Sequence, residues 1–435
     1  MNAQAEVWAE GRKGRSPSGA RKRGGIPPMA FIVVLAVLIV LDMLSQPGVM
    51  RPAAFLVVNY ATKTAIALAV IGMGLRNLLR MKLPNVWRGA ILTFVAVVAF
   101  WLGAWFAKGH LNDAVTMLLS PQFSAPSWMF VLLIPVAIVA NADGQVTAAF
   151  RRIPPVVVVG LLAVLTTVDH YAELHLNLTT LGVSSVFILC AQQEASWLGA
   201  RFWRAGLCVL IAVCMYAEGT RTYFAAFTLL GLSFVYMPRM SRGFSILLAI
   251  AFLTTPIIFS YITAQYGDYL AWLDREFFQD TRSFLFTELI EDMSQTEIFT
   301  GRGLDGTYYS PYFHMLQETG NVFGSDRFIR YSSEISWLNI LLKFGLIGLI
   351  PYLFTILYPV FMRGVVRAGD VSPEGMRRFL PHMLLIFVAE MPNTMNGTYF
   401  CFYLALGTLL ALHPRLRRPI EGPPQVQHIS QVRRN

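Results

Sequence analysis

The chain is laid out as apolar runs separated by short polar connections, and many of the runs approach the length of a membrane span. A helix needs roughly 20 residues to cross about 30 Å of hydrocarbon. Twelve runs are predicted as spans: 29–47, 53–74, 88–107, 127–141, 154–169, 178–193, 204–218, 222–237, 244–264, 335–361, 379–392 and 398–413. Those at 127–141, 204–218, 379–392 and 398–413 are short, and fit as tilted helices, as helices buried in the bundle, or as helices a turn longer than drawn. The run at 29–47 follows a long basic tail with no small-x-small cleavage site after it, so it reads as a first span and not as a signal peptide. The pattern predicts an all-α polytopic membrane protein of about twelve transmembrane helices.

Composition agrees. Of 435 residues, 55% are hydrophobic and only 14% charged, against about 25% charged in ordinary soluble domains. This excludes a soluble enzyme, a disordered chain and a disulfide scaffold. The four cysteines, Cys190, Cys208, Cys214 and Cys401, each lie in an apolar run without metal-ligand or redox spacing, and read as packing residues.

The net charge of +10 invites a nucleic-acid reading until the charges are placed. With the N-terminus in the cytoplasm, Arg76, Arg80, Arg151, Arg152, Arg201, Arg204, Arg239, Arg242, Arg377 and Arg378 all fall on the inner side, as do both basic tails (1–28 and 414–435). The short outer loops are nearly empty of Lys and Arg. The excess is therefore an orientation signal, with anionic lipid helping at the tails. The expected partners include the bilayer and exclude nucleic acid.

One connection differs from the rest. Between the block 29–264 (spans one to nine) and the block 335–413 (spans ten to twelve) lies the 70-residue segment 265–334, placed outside. Such length is uncommon for a simple connector. Its aromatic residues, among them Tyr266, Trp272, Phe284, Phe286, Tyr308 and Tyr309, suit a folded cap, sugar stacking, or residence at the membrane interface. Stretches 269–278 and 282–293 are predicted as short helices. The glycine-rich turn Thr300–Gly306 reads as bent, exposed backbone whose amides could approach an anion.

Several charges break the pattern. Arg221 sits where spans seven and eight meet with almost no linker, in Glu218-Gly219-Thr220-Arg221-Thr222-Tyr223. A cation there has a bland reading, a salt bridge to Glu218 or an interfacial snorkel. Its sharper reading is an anion site, because guanidinium stays charged and its planar fork matches phosphate oxygens. Arg282 and Arg302 belong to the loop that covers the same face, and three arginines meeting there would suit a pyrophosphate. Glu334 opens span ten and fits either as a helix-end carboxylate or as a general base or acceptor-orienting group. Lys343 lies inside that span, able to pair with an acid or line a cavity. Asp42 and Glu390 are further charges in or near apolar runs without an evident partner.

These features together resemble the O-antigen polymerase and ligase superfamily of bacterial inner-membrane glycosyltransferases. The resemblance rests on Gly219-Thr220-Arg221-Thr222-Tyr223, on Arg282 leading into Gly301-Arg302-Gly303, and on the run ending Phe344-Gly345-Leu346-Ile347-Gly348-Leu349, in that order around a large outer loop. It covers residues 205–360 best. It implies a fold similar to the GT-C class and a substrate carried on undecaprenyl pyrophosphate, with both termini cytoplasmic. It also implies metal-independent chemistry without a cofactor. The resemblance implies catalytic roles for Arg221 and Arg282; the reading of Glu334 above adds it as a third catalytic candidate, with Gly301, Arg302, Gly303, Tyr223 and His314 expected on the substrate side. Family ligases carry a histidine near the start of span ten. That position is Glu334 here, with His314 well upstream. The departure favours a polymerase that lengthens a surface polysaccharide, with a flippase or a chain-length regulator as partner proteins. A ligase, a glycolipid transporter and a noncatalytic assembly subunit are the competing readings.

Overall fold

The computed structural model describes residues 28–44, 53–80, 83–108, 149–174, 176–192, 198–237, 243–252, 283–311, 329–330, 336–361, 373–389 and 397–411, with positions 241, 254, 258 and 314. The predicted span 127–141, the predicted helix 269–278, both tails, Arg282, Glu334 and Glu390 lie outside these residues.

The described chain is almost wholly helical. The helices are α1 (Pro28–Met43), α2 (Ala53–Arg80), α3 (Asn85–Ala107), α4 (Pro155–Ala172), α5 (Thr179–Ala191), α6 (Leu198–Ala217) and α7 (Arg221–Tyr236). They continue as α8 (Gly243–Phe252). After it come α9 (Ser283–Asp292), α10 (Gln295–Thr300), α11 (Ser336–Phe361), α12 (Pro373–Ala389) and α13 (Gly397–Ala411). Within α2, α3, α4, α6 and α11 lie five segments long and apolar enough to cross a membrane: Val57–Leu79, Asn85–Ala107, Pro155–Ala172, Gly199–Ala217 and Trp337–Phe361. Helices α2, α6 and α12 run beyond the apolar stretches that predicted them, because residues such as Arg76, Arg201 and Arg377 continue a helical backbone past the point where hydropathy falls.

Helix α5 occupies the centre. It packs against α1, α4, α6, α12 and α13, and every residue from Thr180 to Ala191 is buried. A helix buried on all sides must be apolar all round or satisfy its own polar groups. Ser184 and Ser185 do the latter, donating to the carbonyls of Thr180 (2.7 Å) and Leu181 (2.8 Å) one turn back. The peripheral helices instead present apolar side chains outward, such as Val157, Leu161 and Val164 on α4.

Proline shapes the helix contacts. A proline lacks the N–H that would bond the carbonyl four residues earlier. Pro359 in α11 therefore leaves the Thr355 carbonyl without its helical donor, and Trp87 Nε1 of α3 donates to it at 3.0 Å. Pro381 in α12 does the same for Arg377, whose carbonyl accepts from Ser245 Oγ at 2.9 Å. Phe94 then packs between Phe344 (edge-on) and Tyr352 (tilted), at 6.2 and 5.2 Å between ring centroids, holding α3 against α11.

A buried ion pair ties three helices together. Asp42 near the end of α1 meets Lys63 of α2 at 2.6 Å and accepts from Thr180 Oγ1 of α5 at 2.8 Å. Asp42 thus has the partner that its place in an apolar run left open. All four cysteines are free thiols and buried, as predicted.

Candidate functional site

The α6–α7 hairpin explains why Arg221 is where it is. Gly219 adopts φ +74, and the amides of Gly219 and Thr220 return to the carbonyls of Tyr216 (3.0 Å) and Met215 (3.0 Å). This is a glycine-terminated helix end, and it reverses the chain with no spare residue. The Thr220 hydroxyl also turns back, donating to Met215 O at 2.8 Å, so it does not cap α7. The first turn of α7 therefore begins at Arg221 without a side-chain cap. Its leading amides have no helical acceptor, and exposed Arg221 is the first residue of that turn. Tyr223 is buried in the bundle and packs edge-on against Phe227 at 5.9 Å.

Glu218 closes the hairpin beside Asp169 of α4. Burial first, and then the neighbouring Asp169 carboxylate, push its carboxyl up to about 7, while the Leu178 amide works in the opposite direction. The same end of the bundle carries the Asn177 amide bonded to Met43 O at 3.1 Å, and the Leu176 amide bonded to Asp169 at 2.8 Å.

Segment 283–310 forms a folded cap. Helix α9 confirms the stretch predicted at 282–293, with Leu285, Leu289 and Met293 buried. Ser294 and Glu297 then form a reciprocal capping box that starts α10. After a turn, strand β1 (Tyr308–Tyr309) pairs antiparallel with β2 (Ile329–Arg330). Phe286 packs on Trp337 at 5.8 Å between centroids, and Ser310 Oγ donates to buried Glu288 at 2.6 Å. His314 joins the cap through its ring, 5.9 Å from that of Tyr309.

The glycine-rich turn is not exposed backbone. Gly301, Gly303 and Gly306 are buried against α11 and α3. The Gly301 amide donates to Glu297 O at 2.7 Å, the Arg302 amide to Leu342 O at 2.8 Å and the Gly303 amide to Lys343 O at 3.0 Å. The expectation that these amides hold an anion is thereby corrected: each already has an acceptor inside the protein. The acceptors exist because α11 is broken at Gly345 (φ 61, ψ −168). In an unbroken helix Leu346 and Ile347 would donate to Leu342 and Lys343, and the break lies between donors and acceptors. Positive φ admits only glycine here, since a Cβ on Gly345 would lie 2.2 Å from Phe299 O.

Arg302 is likewise corrected from substrate contact to internal fastener. Its Nε donates to Glu297 Oε1 at 3.0 Å, and one terminal nitrogen reaches Asp292 Oδ2 and the Thr307 carbonyl. The other reaches the Asp292 carbonyl and Glu297 Oε2. Guanidinium has five N–H donors, and all five are used within the cap. Hydrogen bonding to Arg302 foremost, with the Ser294 amide, holds the Glu297 carboxyl at about 2.

The topology predicted from the sequence puts the cap and the hairpin on the same, outer side. The cap grips the C-terminal part of α3, where Trp101 Nε1 donates to Thr300 O at 3.2 Å and Lys108 meets Asp305 at 3.5 Å. The α1 end and the α6 end are joined by contacts to the start of α5. Arg221 begins α7 at that end. Gly301, Arg302, Gly303 and His314 are gathered in the cap, and Arg221 and Tyr223 stand on the hairpin. Sequence reasoning missed Asp292, Glu297 and Trp337. The indole N–H of Trp337, buried at the start of α11, has no hydrogen-bond partner among the described residues. Among the described residues no cluster of three potential metal ligands occurs. Comparison with protein-family models, with curated proteins and with solved structures finds no match to this chain.

Proposed function

We propose that this chain is a multi-pass glycosyltransferase of the bacterial inner membrane that joins glycans carried on undecaprenyl pyrophosphate into a longer polysaccharide at the outer face. The observation that carries the reading is Arg221. It stands exposed at the uncapped N-terminus of α7, which the topology predicted from the sequence puts on the same side as the cap. A helix N-terminus and a guanidinium together form an anion site. Transfer from a lipid pyrophosphate needs its departing negative charge neutralised, and fixed cationic groups do this without a metal.

In this mechanism the hydroxyl of the acceptor sugar attacks the anomeric carbon of the donor. The bond from that carbon to the pyrophosphate oxygen breaks, and the lipid pyrophosphate leaves with its electron pair. Arg221 and the first-turn amides of α7 stabilise the leaving oxygens, with Arg282 as a second cation. Glu334, at the entry to α11, orients the acceptor hydroxyl and takes up its proton. Twelve spans with both termini cytoplasmic fit this scheme, because the cap and the hairpin then face the side where lipid-linked repeats are presented.

Reconstitution of the purified protein with lipid-linked repeat units tests the proposal. Wild type is expected to yield longer glycans, and Arg221→Ala to lower the rate by about 100- to 1,000-fold, the cost of losing one preorganised donor to a developing anion. Full-length product at the normal rate from Arg221→Ala, at equal protein level, would remove the basis of the proposal.

A further inference from the structure

We propose that the inner ends of α4 and α6 hold an anionic phospholipid, with its phosphodiester on Arg152, Arg201 and Arg204 and its glycerol and upper acyl carbons on Phe202 and Trp203. The site is separate from the basic tails and does not depend on the transfer proposed above.

The two helices pack together and run parallel, in step. Thr166 of α4 neighbours Cys214 of α6, and one turn on Asp169 neighbours Glu218. The same offset carried back along both helices brings Arg152, just before α4, level with Arg201 in the first turn of α6. Arg152 is exposed, and Arg201 and Arg204 are half-buried.

Charge at this end is held in place from within. The Arg204 guanidinium lies over the Phe234 ring of α7, 5.9 Å from its centroid. Buried Arg378 of α12 lies over the same ring at 5.1 Å, and donates to Ser233 O (2.6 Å) and to Met237 O at the end of α7. Arg151 donates from Nε to Ala191 O, at the end of α5, at 3.3 Å. Arg151 and Arg378 thus close two helix ends, and a buried cation is screened far less than one in water. The described acidic side chains of the bundle, Asp42, Asp169, Glu173 and Glu218, all belong to the opposite end. Among the described side chains the inner end is therefore positive, and the planar guanidinium fork matches phosphate oxygens.

Phe202 and Trp203 make the fitting anion a lipid. They lie between Arg201 and Arg204 and are 55% and 58% exposed. Apolar surface of that size is costly in water, whereas an indole suits the headgroup level of a bilayer. From there toward the membrane centre both helices turn apolar side chains outward, Val157 and Leu161 on α4 and Leu210 and Val213 on α6, a surface for acyl chains.

The test places the full chain in phosphatidylcholine nanodiscs, titrates in phosphatidylglycerol and counts the lipid retained on the protein by native mass spectrometry. Wild type is expected to retain one phosphatidylglycerol in preference to phosphatidylcholine. Arg152→Gln and Arg201→Gln should each weaken that preference about fivefold. Arg76→Gln and Arg88→Gln, which remove exposed cations of α2 and α3, should leave it unchanged. Because Arg152 is exposed, its loss should leave the fold intact, and an unchanged melting temperature in phosphatidylcholine alone checks this. Equal retention of the two lipids by wild type, or equal losses at all four arginines, overturns the site in favour of diffuse charge. Displacement of the lipid by soluble glycerol phosphate overturns the lipid as ligand and leaves a phosphate site. None of these readouts passes through glycan elongation, so failure here and failure of the transfer are told apart.

Discussion

Replacing Arg302 by Gln separates two roles that the same charge could play. If Arg302 fastens the cap, the substitution removes five donors: three bonds to the carboxylates of Asp292 and Glu297 and two to the carbonyls of Asp292 and Thr307. Enclosed charge-assisted bonds contribute about 1.5–3 kcal/mol each. The side chains here are 18% exposed for Arg302, 30% for Asp292 and 36% for Glu297, so solvent screening pulls each carboxylate contact toward about 1 kcal/mol or less. Water and the new amide refill part of what is lost. The remainder is about 2–4 kcal/mol of local stability, confined to the cap, or roughly 30- to 1,000-fold in its opening equilibrium. Hydrogen exchange resolved to residues 292–310 reads this directly, with the α6–α7 hairpin as an internal control. Arg302→Lys should restore little, because one ammonium has three donors and no planar fork. A variant whose donor KM rises while the cap amides stay protected would refute the fastener role and return Arg302 to the substrate.

Acidity should act oppositely at the two acidic groups. The Glu297 carboxyl is depressed to about 2, so its contribution is present above the ordinary carboxylate range and is lost as pH falls from about 4.5 toward 2, which exchange at the α10 amides would follow. The Glu218 carboxyl is raised to about 7, so the folded hairpin is favoured below the ordinary carboxylate range and loses that stability as pH rises through 7. Glu218→Gln should flatten the dependence of thermal stability on pH between about 4.5 and 7, and an unchanged slope would dismiss the raised Glu218 carboxyl. In the core, Lys63→Met strands Asp42 and should cost about 3–5 kcal/mol, whereas Asp42→Leu with Lys63→Met should recover most of it. Additive losses in a thermal or denaturant melt would show that the two groups do not depend on each other.

The legible parts of this molecule are those governed by hydropathy and by local turn chemistry. The apolar runs located most helix cores, the helix predicted at 282–293 appears as α9, and the absent linker at Glu218–Thr220 correctly announced a tight hairpin. The break in α11 was not legible. Gly345 lies in an apolar run like any other small residue, and hydropathy does not report φ. Lys343 was visible as a charge, yet its partners are the carbonyls of Leu304 and Gly306, groups that every residue carries and no sequence marks. Arg302 was misread for a related reason. Its acids precede it by ten and five residues across a helix end, and only the fold shows that Asp292 and Glu297 converge on one guanidinium. Asp42 and Lys63 meet because two different helices bring them together, a contact that no periodicity within either helix encodes.

Burial of Cys190, Cys208, Cys214 and Cys401 has a practical sequel. A thiol shielded by packed side chains reacts slowly with a membrane-impermeant maleimide, so the native chain supplies its own dark background. A single cysteine introduced at Glu173 or Tyr309 would then be the one bright position on the molecule. Labelling it from one side of a sealed vesicle reads out which way the chain is inserted, residue by residue, without first removing a single native side chain.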